Sequence, residues 1–171
     1  FTIGCVANFW ETKNHIGLIK AIELLILDGF IDIKLKLVGN GENLKLCRKY
    51  VSDNSLEKNI YFISEMPHSK LNFFYNQIDL FVLPSYYEAL GCVSLEAWST
   101  NTPVIAIENQ GFSELIVDND MSCLLAKKLS TNSLKEKILL QYNSNNEYYF
   151  DERYDISNTI SLFINSDFFN K

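Results

Sequence analysis

The sequence predicts an α/β domain built on a doubly wound parallel sheet. Three observations carry this. Short apolar runs of strand length alternate with longer segments of helical period, as in a parallel sheet covered by helices on both faces. One of those runs, Leu80 to Leu83, is apolar at every position, which suits a strand buried on both sides. Glycines and polar residues gather directly after the runs, where such a sheet receives its ligands.

The elements follow in order. Thr2 to Val6 reads as the first strand; from Lys13 to Asp28, Ile16, Ile19, Ile22 and Leu25 or Ile26 mark the buried face of a helix that Asp28-Gly29 closes. Lys34 to Val38 is the second strand, ending in Gly39-Asn40-Gly41, and Glu42 to Asn54 the helix after it. Ile60 to Ile63, a short helix around Ser69 to Tyr75, and Leu80 to Leu83 stopping at Pro84-Ser85 continue the alternation. A helix from about Gly91 to Thr100 leads to a fifth strand, Val104 to Ile107, then a helical turn at Phe112 to Ile116 and a sixth strand at Ser122 to Leu125. Ser130 to Tyr142 and Tyr154 to Phe163 read as helices joined by a polar loop, Asn143 to Glu147.

With 171 residues, 47% of them hydrophobic, the chain can bury one substantial core, and residues 1–171 read as a single domain. A net charge of -6 leaves no basic stripe for nucleic acid and gives no reason to expect direct membrane contact. Cys5, Cys47, Cys92 and Cys123 are far apart and share no ligand spacing with His15 or His68, so buried reduced thiols, suited to a cytoplasmic setting, are expected and a metal site is not. No apolar run approaches the roughly 18 residues of a membrane span. Phe1-Thr2-Ile3-Gly4 opens directly in a strand, so further residues are expected upstream.

The richest stretch for chemistry runs from Pro84 to Ala97. A strand ends, Glu88 sits on the following turn, and Gly91 lets backbone approach a ligand as a helix begins. Amides at that helix start suit a phosphate, and Glu88 can accept hydrogen bonds from sugar hydroxyls. Glu96, about two turns on, can hold a second hydroxylated ring such as ribose. The plainer alternative makes Glu88 a carboxylate complementing a helix dipole and Glu96 a solvated surface charge. Gly39-Asn40-Gly41 alone suggests a dinucleotide site, but Leu44 stands where the third glycine belongs and the motif follows the second strand, not the first.

The whole string resembles the EX7E motif of glycosyltransferase family 4: Pro84-Ser85, Glu88, Gly91, Leu95-Glu96-Ala97 and Pro103-Val104 stand in its order. Val6-Ala7-Asn8 with Lys13-Asn14-His15 is similar to that family's GRL...KG or KN opening. Leu37 to Gly41 resembles its VGxG strand end, and Gly111 to Ile116 its G-x-x-E-L-I turn. The resemblance covers nearly the whole chain and implies the C-terminal, Rossmann-like domain of a two-domain GT-B fold whose N-terminal acceptor domain is absent from this chain. It implies a nucleotide-diphosphate sugar as co-substrate, no other cofactor and no metal. Lys13, with Asn8 beside it, would face the diphosphate, the N–H groups of Leu90, Gly91 and Cys92 would bind the same phosphates, and Glu88 would hold the transferred sugar. Gly39 lies at the matching strand end, Glu96 would bind the ribose, and the backbone near Met66 the base. The implied reaction is retaining transfer of a hexose to a glycan or lipid-linked acceptor, which disfavours a two-carboxylate hydrolase. The acceptor would be met through the N-terminal domain, which could also touch the cytoplasmic face of a membrane.

Several positions depart from that family. Asn8 replaces the arginine of GRL, removing one diphosphate cation; Ser64, Gln110 and Asn101 stand where glycines are usual, and Ser and Asn tolerate turns. The missing arginine motivates an alternative, a degenerate donor domain that partners an active transferase. His15 is expected to face solvent and His68 to cap or start its helix, while Phe73 to Tyr75 and Tyr148 to Phe150 are expected to pack. One of Tyr86 and Tyr87 can line the sugar pocket.

Overall fold

The structure is a computed structural model and describes residues 1–119, 121, 124–144 and 148–155. Among the described residues six parallel strands form one sheet in the order β3-β2-β1-β4-β5-β6: β1 Thr2–Val6, β2 Lys34–Val38, β3 Ile60–Ile63, β4 Leu80–Val82, β5 Val104–Ile107 and β6 Leu125–Ala126. This is a Rossmann-like doubly wound order, as the alternation of apolar runs requires. Its helices are α1 His15–Leu27, α2 Leu44–Asp53, α3 His68–Tyr75, α4 Cys92–Trp98, α5 Gly111–Asp118 and α6 Thr131–Tyr142. Helices α2 and α6 pack against α1, and α3 packs against α4.

The apolar stripe of α1 explains its place. Leu18, Ile19, Ile22 and Leu25 are fully buried against the sheet, and every residue of β4 and β5 is buried. Near the far edge, Trp98 on α4 is enclosed by edge-on contacts with Phe112 and Phe150, and its indole N–H donates to Tyr149 O at 3.1 Å. The expected packing role of Phe74, Tyr75 and Phe150 therefore holds, whereas Phe73 and Tyr149 point outward, 69% and 68% exposed.

Four strands have the expected bounds, and the differences elsewhere have local causes. Lys13 belongs to a 3-10 turn, Glu11–Lys13, and Asn14 then adopts a left-handed conformation (φ 52°), so α1 begins at His15. The turn expected at Phe112 to Ile116 is a two-turn helix because Ser113 Oγ accepts the Gln110 N–H at 3.1 Å and secures its start. The sixth strand sits later than expected, because the pairing of Ala106 and Ile107 with Leu125 and Ala126 sets its register. Of the expected helix Tyr154 to Phe163, only residues 154 and 155 are described; they end a 3-10 turn, Glu152–Tyr154, and the remainder, like Cys123 and most of the 143–147 loop, lies outside the described residues. No helix among the described residues is long and apolar enough to cross a membrane.

Candidate functional site at the sheet switch point

The sheet order reverses between β1 and β4, and the loops that follow these strands diverge there, opening a crevice at their carboxyl ends. The two loops are laced together. Tyr86 N–H donates to Thr12 O at 3.1 Å, and Asn14 Nδ2 donates to Pro84 O at 3.3 Å. The 3-10 turn aims Lys13 across the gap, where its Nζ forms an ion pair with Glu88 Oε2. The β2 end closes in from the other side: Gly39 has φ 142°, and a Cβ there would stand 2.2 Å from Ala7 O, so only glycine lets the β1 and β2 ends meet this closely.

The result is a cavity of about 380 Å³, a size suited to part of a drug-sized ligand. Asn8, Lys13, Gly39, Met66, Glu88, Gly91 and Cys92 all line it, so seven of the nine residues read from the sequence converge. Leu71, Leu83 and Val93 supply apolar walls that sequence reasoning did not single out, because their neighbours in space come from three separate elements. Lys13 is the one cation among its described lining residues, which include Glu65 and its ion-pair partner Glu88.

The other two residues stand just outside. Leu90 is 39% exposed on the loop before α4 and does not line the cavity. Glu96 lies in an adjoining groove between α3 and α4, about 160 Å³, which shares Leu71 with the main cavity. Its Oε2 accepts from Tyr75 O–H at 2.9 Å, and its Oε1 lies 3.2 Å from Nε2 of His68, the first residue of α3 as expected. Burial, together with this bond to Glu96, raises the Tyr75 pKa well beyond the usual phenol range, so Tyr75 stays a donor.

Two expectations need correction. His15 does not face solvent: it is 2% exposed, stacked on Phe9 with ring centroids 4.0 Å apart, because the left-handed Asn14 turns α1 inward immediately after the loop. Burial, with the nearby Lys13 charge adding to it, pulls its pKa down to about 4. Cys92 is not buried but exposed at the cavity wall, since it opens α4 at the cleft. Tyr86 turns toward α1 and α2, and Tyr87 faces a second groove of about 890 Å³ that shares Glu88. By contrast, Cys5 and Cys47 are buried free thiols, and burial pushes Cys5 up to about 12 and Cys47 up to about 11.

Gln110 is legible in the sequence only as a departure from a glycine. In the fold its Oε1 accepts the Glu88 N–H at 2.5 Å and its Nε2 donates to Tyr86 O at 3.4 Å. The spacing of 22 residues between Gln110 and Glu88 carries no sequence signal for that contact.

Comparison with known proteins shows the family and the fold. The family model described as glycosyl transferases group 1 matches residues 1–155. The chain is 27% identical over 146 residues to the capsular polysaccharide biosynthesis glycosyltransferase CapM of Staphylococcus aureus, covering 81% of this chain and 36% of that one. Among solved structures, a mutant of S. aureus TarM in complex with fondaparinux, alpha-GlcNAc-glycerol and UDP superposes with a TM-score of 0.76 at 26% identity, over 84% of this chain and 29% of that one. The C-terminal domain of a glycosyl transferase group 1 family protein, LpcC of Francisella tularensis, superposes with a TM-score of 0.74 at 25% identity, over 84% of this chain and 76% of that one. The chain spans about a third of the length of the curated relatives it matches, 35% of one and 36% of another.

Proposed function

The chain belongs to the glycosyl transferases group 1 family, and on that premise we propose that it is the donor-binding, C-terminal domain of a retaining glycosyltransferase. In this reading the intact protein moves a hexose from a nucleotide-diphosphate sugar onto a saccharide or lipid-linked acceptor, in the cytoplasm. The carrying observation is the meeting of Lys13 and Glu88 inside the cavity at the β1–β4 switch point. A cation suited to a diphosphate beside a carboxylate suited to sugar hydroxyls, where an open parallel sheet takes its ligands, supports this reading. UDP in the TarM structure and the capsular polysaccharide role of CapM support the choice of donor and product class.

The residues then divide the work. As the bond from the anomeric carbon to the diphosphate oxygen breaks, the leaving group gains negative charge, and Lys13 with the N–H groups of Gly91 and Cys92 at the cavity wall, and of Leu90 at its rim, stabilises it where it develops. Glu88 holds the sugar's hydroxyls while the carbon becomes oxocarbenium-like. The acceptor hydroxyl attacks from the face the diphosphate leaves, passing its proton to the departing phosphate oxygen, so configuration is retained without an enzyme nucleophile. Glu96 holds the ribose, the backbone near Met66 the base, and Gly39 and Asn8 shape the phosphate end. The acceptor is met by the N-terminal domain, and this domain alone binds donor without turning it over.

One observation favours a second reading, a degenerate domain that partners an active transferase: Asn8 stands in the cavity where the resembled family has arginine. Calorimetric titration of the intact protein with uridine, guanosine and adenosine diphosphates separates the two. Binding of one of them, with hexose transfer from its sugar conjugate, is expected. Binding without transfer favours the degenerate domain, and no binding by any overturns the donor site itself.

A further inference from the structure

We propose that Gln110 is a positioning residue for Glu88, setting from the β5–α5 turn where the Glu88 carboxylate meets the donor sugar; this rests on the donor-site reading above. Three bonds reach the Glu88 loop from that turn. Gln110 Oε1 accepts the Glu88 N–H at 2.5 Å, Gly111 N–H donates to Glu88 O at 3.4 Å, and Gln110 Nε2 donates to Tyr86 O at 3.4 Å. The peptide groups on both sides of the Glu88 Cα are thus held from one place. Its carboxylate, by contrast, has only the Lys13 pair among the described residues.

The base of this grip is rigid. The Gln110 backbone is tied to Ser113, whose Oγ accepts the Gln110 N–H at 3.1 Å and donates to Gln110 O at 2.6 Å, and Ser113 is itself buried. The start of α5 also presses on the loop. A Cβ on Gly111 would fall 1.6 Å from Ala89 O, so the two backbones touch with no room for a side chain between them. A glycine at position 110 would keep this contact of backbones but could make neither side-chain bond. The amide of Gln110 therefore adds a hold on Glu88 that belongs to this chain's own sequence. A carboxylate that must meet particular hydroxyls gains from such a hold, because small displacements of a binding group forfeit the alignment of its hydrogen bonds.

The test compares Gln110→Met with wild type in the intact protein, since methionine keeps the length and volume but neither bond. Binding of UDP, GDP, UDP-glucose and GDP-mannose is measured by calorimetry. The expected result is that the accepted diphosphate binds within about twofold of wild type, while its sugar conjugate weakens about tenfold. In a Glu88→Ala background the same change has no further effect on the conjugate, and Gln110→Glu, which keeps the acceptor for the Glu88 N–H, stays within about threefold of wild type. If Gln110→Met proves unfolded in a thermal melt, Gln110→Glu carries the test, and a tenfold loss there overturns the proposal. Equal weakening of diphosphate and conjugate, no weakening of either, or an undiminished effect without Glu88 also overturns it. Wild-type protein that binds none of the four probes removes the donor site and the role of Gln110 together, whereas wild-type binding with an indifferent Gln110→Met removes only the latter.

Discussion

Lys13 and Glu88, 75 residues apart in the chain, are ion-paired across the cavity, with only 22% and 21% of their side chains exposed. On the donor-site reading proposed above, a diphosphate entering the cavity would have to take Lys13 from Glu88, and a sugar arriving with it would give Glu88 a new set of partners. The pair would thereby favour a donor that carries both parts over a bare diphosphate.

Glu88→Gln removes both the competitor and the negative charge that faces the phosphates. UDP, which has no sugar, should bind this variant about threefold to tenfold more tightly than wild type, a modest gain because partial exposure screens the pair. Hexose transfer by the intact protein should fall at least about a hundredfold. Calorimetry and a transfer assay measure the two sides, and an unchanged or weaker affinity for UDP sinks the idea that the pair opposes the phosphates.

His15 gives the fold a pH dependence with a definite sign. Its pKa is about 4 in the folded protein against an ordinary 6.5, so between these values the unfolded chain binds more protons, and stability falls as pH drops through that window. From pH 7.5 to pH 5.0 the imidazole alone should cost about 2 kcal/mol of unfolding free energy. His15→Phe, which can still stack on Phe9, should lose that component of the slope. Urea midpoints at the two pH values for both proteins decide it, and identical slopes would assign the acid sensitivity elsewhere.

The contrast between His15 and Lys13 shows what a sequence can and cannot reveal. Lys13 is legible because Lys13-Asn14-His15, ahead of an apolar helix, resembles a family opening that is a local string of residues. The burial of His15 depends on Phe9 folding back over it, and that depends on the left-handed turn at Asn14, so no spacing announces it. Strand positions are legible for a related reason: fully buried strands such as β4 and β5 must be apolar throughout. β6 is a two-residue strand whose place comes from its partner, and its own letters carry little of that. Gln110 is the extreme case, since its function as a grip exists only once β5 and β4 lie side by side.

Asn101 reads in the sequence as a residue able to replace a turn glycine, and its φ of 59° lies in the left-handed region. Its Oδ1 also accepts the Phe150 N–H at 2.9 Å, tying the segment that covers Trp98. Asn101→Gly relaxes the backbone but loses that bond, so the two effects should nearly cancel, leaving stability within about 1 kcal/mol of wild type. Asn101→Val has neither advantage and should cost about 2 to 3 kcal/mol in a urea titration. Equal costs for the two variants would mean that the left-handed conformation is not what the position demands.

On the donor-site reading, Glu96 offers the sharpest test of how a nucleotide would be held, because its two oxygens are engaged unequally. Oε2 is bound by Tyr75 O–H at 2.9 Å, from a buried phenol that burial and Glu96 itself keep protonated. Oε1 faces His68 at 3.2 Å, and that imidazole is 82% exposed and readily displaced by a ligand. On that reading Oε1 would be the oxygen available to a ribose hydroxyl, with Tyr75 holding the carboxylate in place. Glu96→Ala should weaken UDP about tenfold while leaving inorganic pyrophosphate, which has no ribose, within about twofold. His68→Ala should leave UDP unchanged or slightly tighter, since it removes a competitor, and Tyr75→Phe should fall between the two by loosening the carboxylate without deleting it. Calorimetry with both ligands separates the possibilities: equal losses for UDP and pyrophosphate would put the effect of Glu96 at the phosphate end, and the ribose role would be lost.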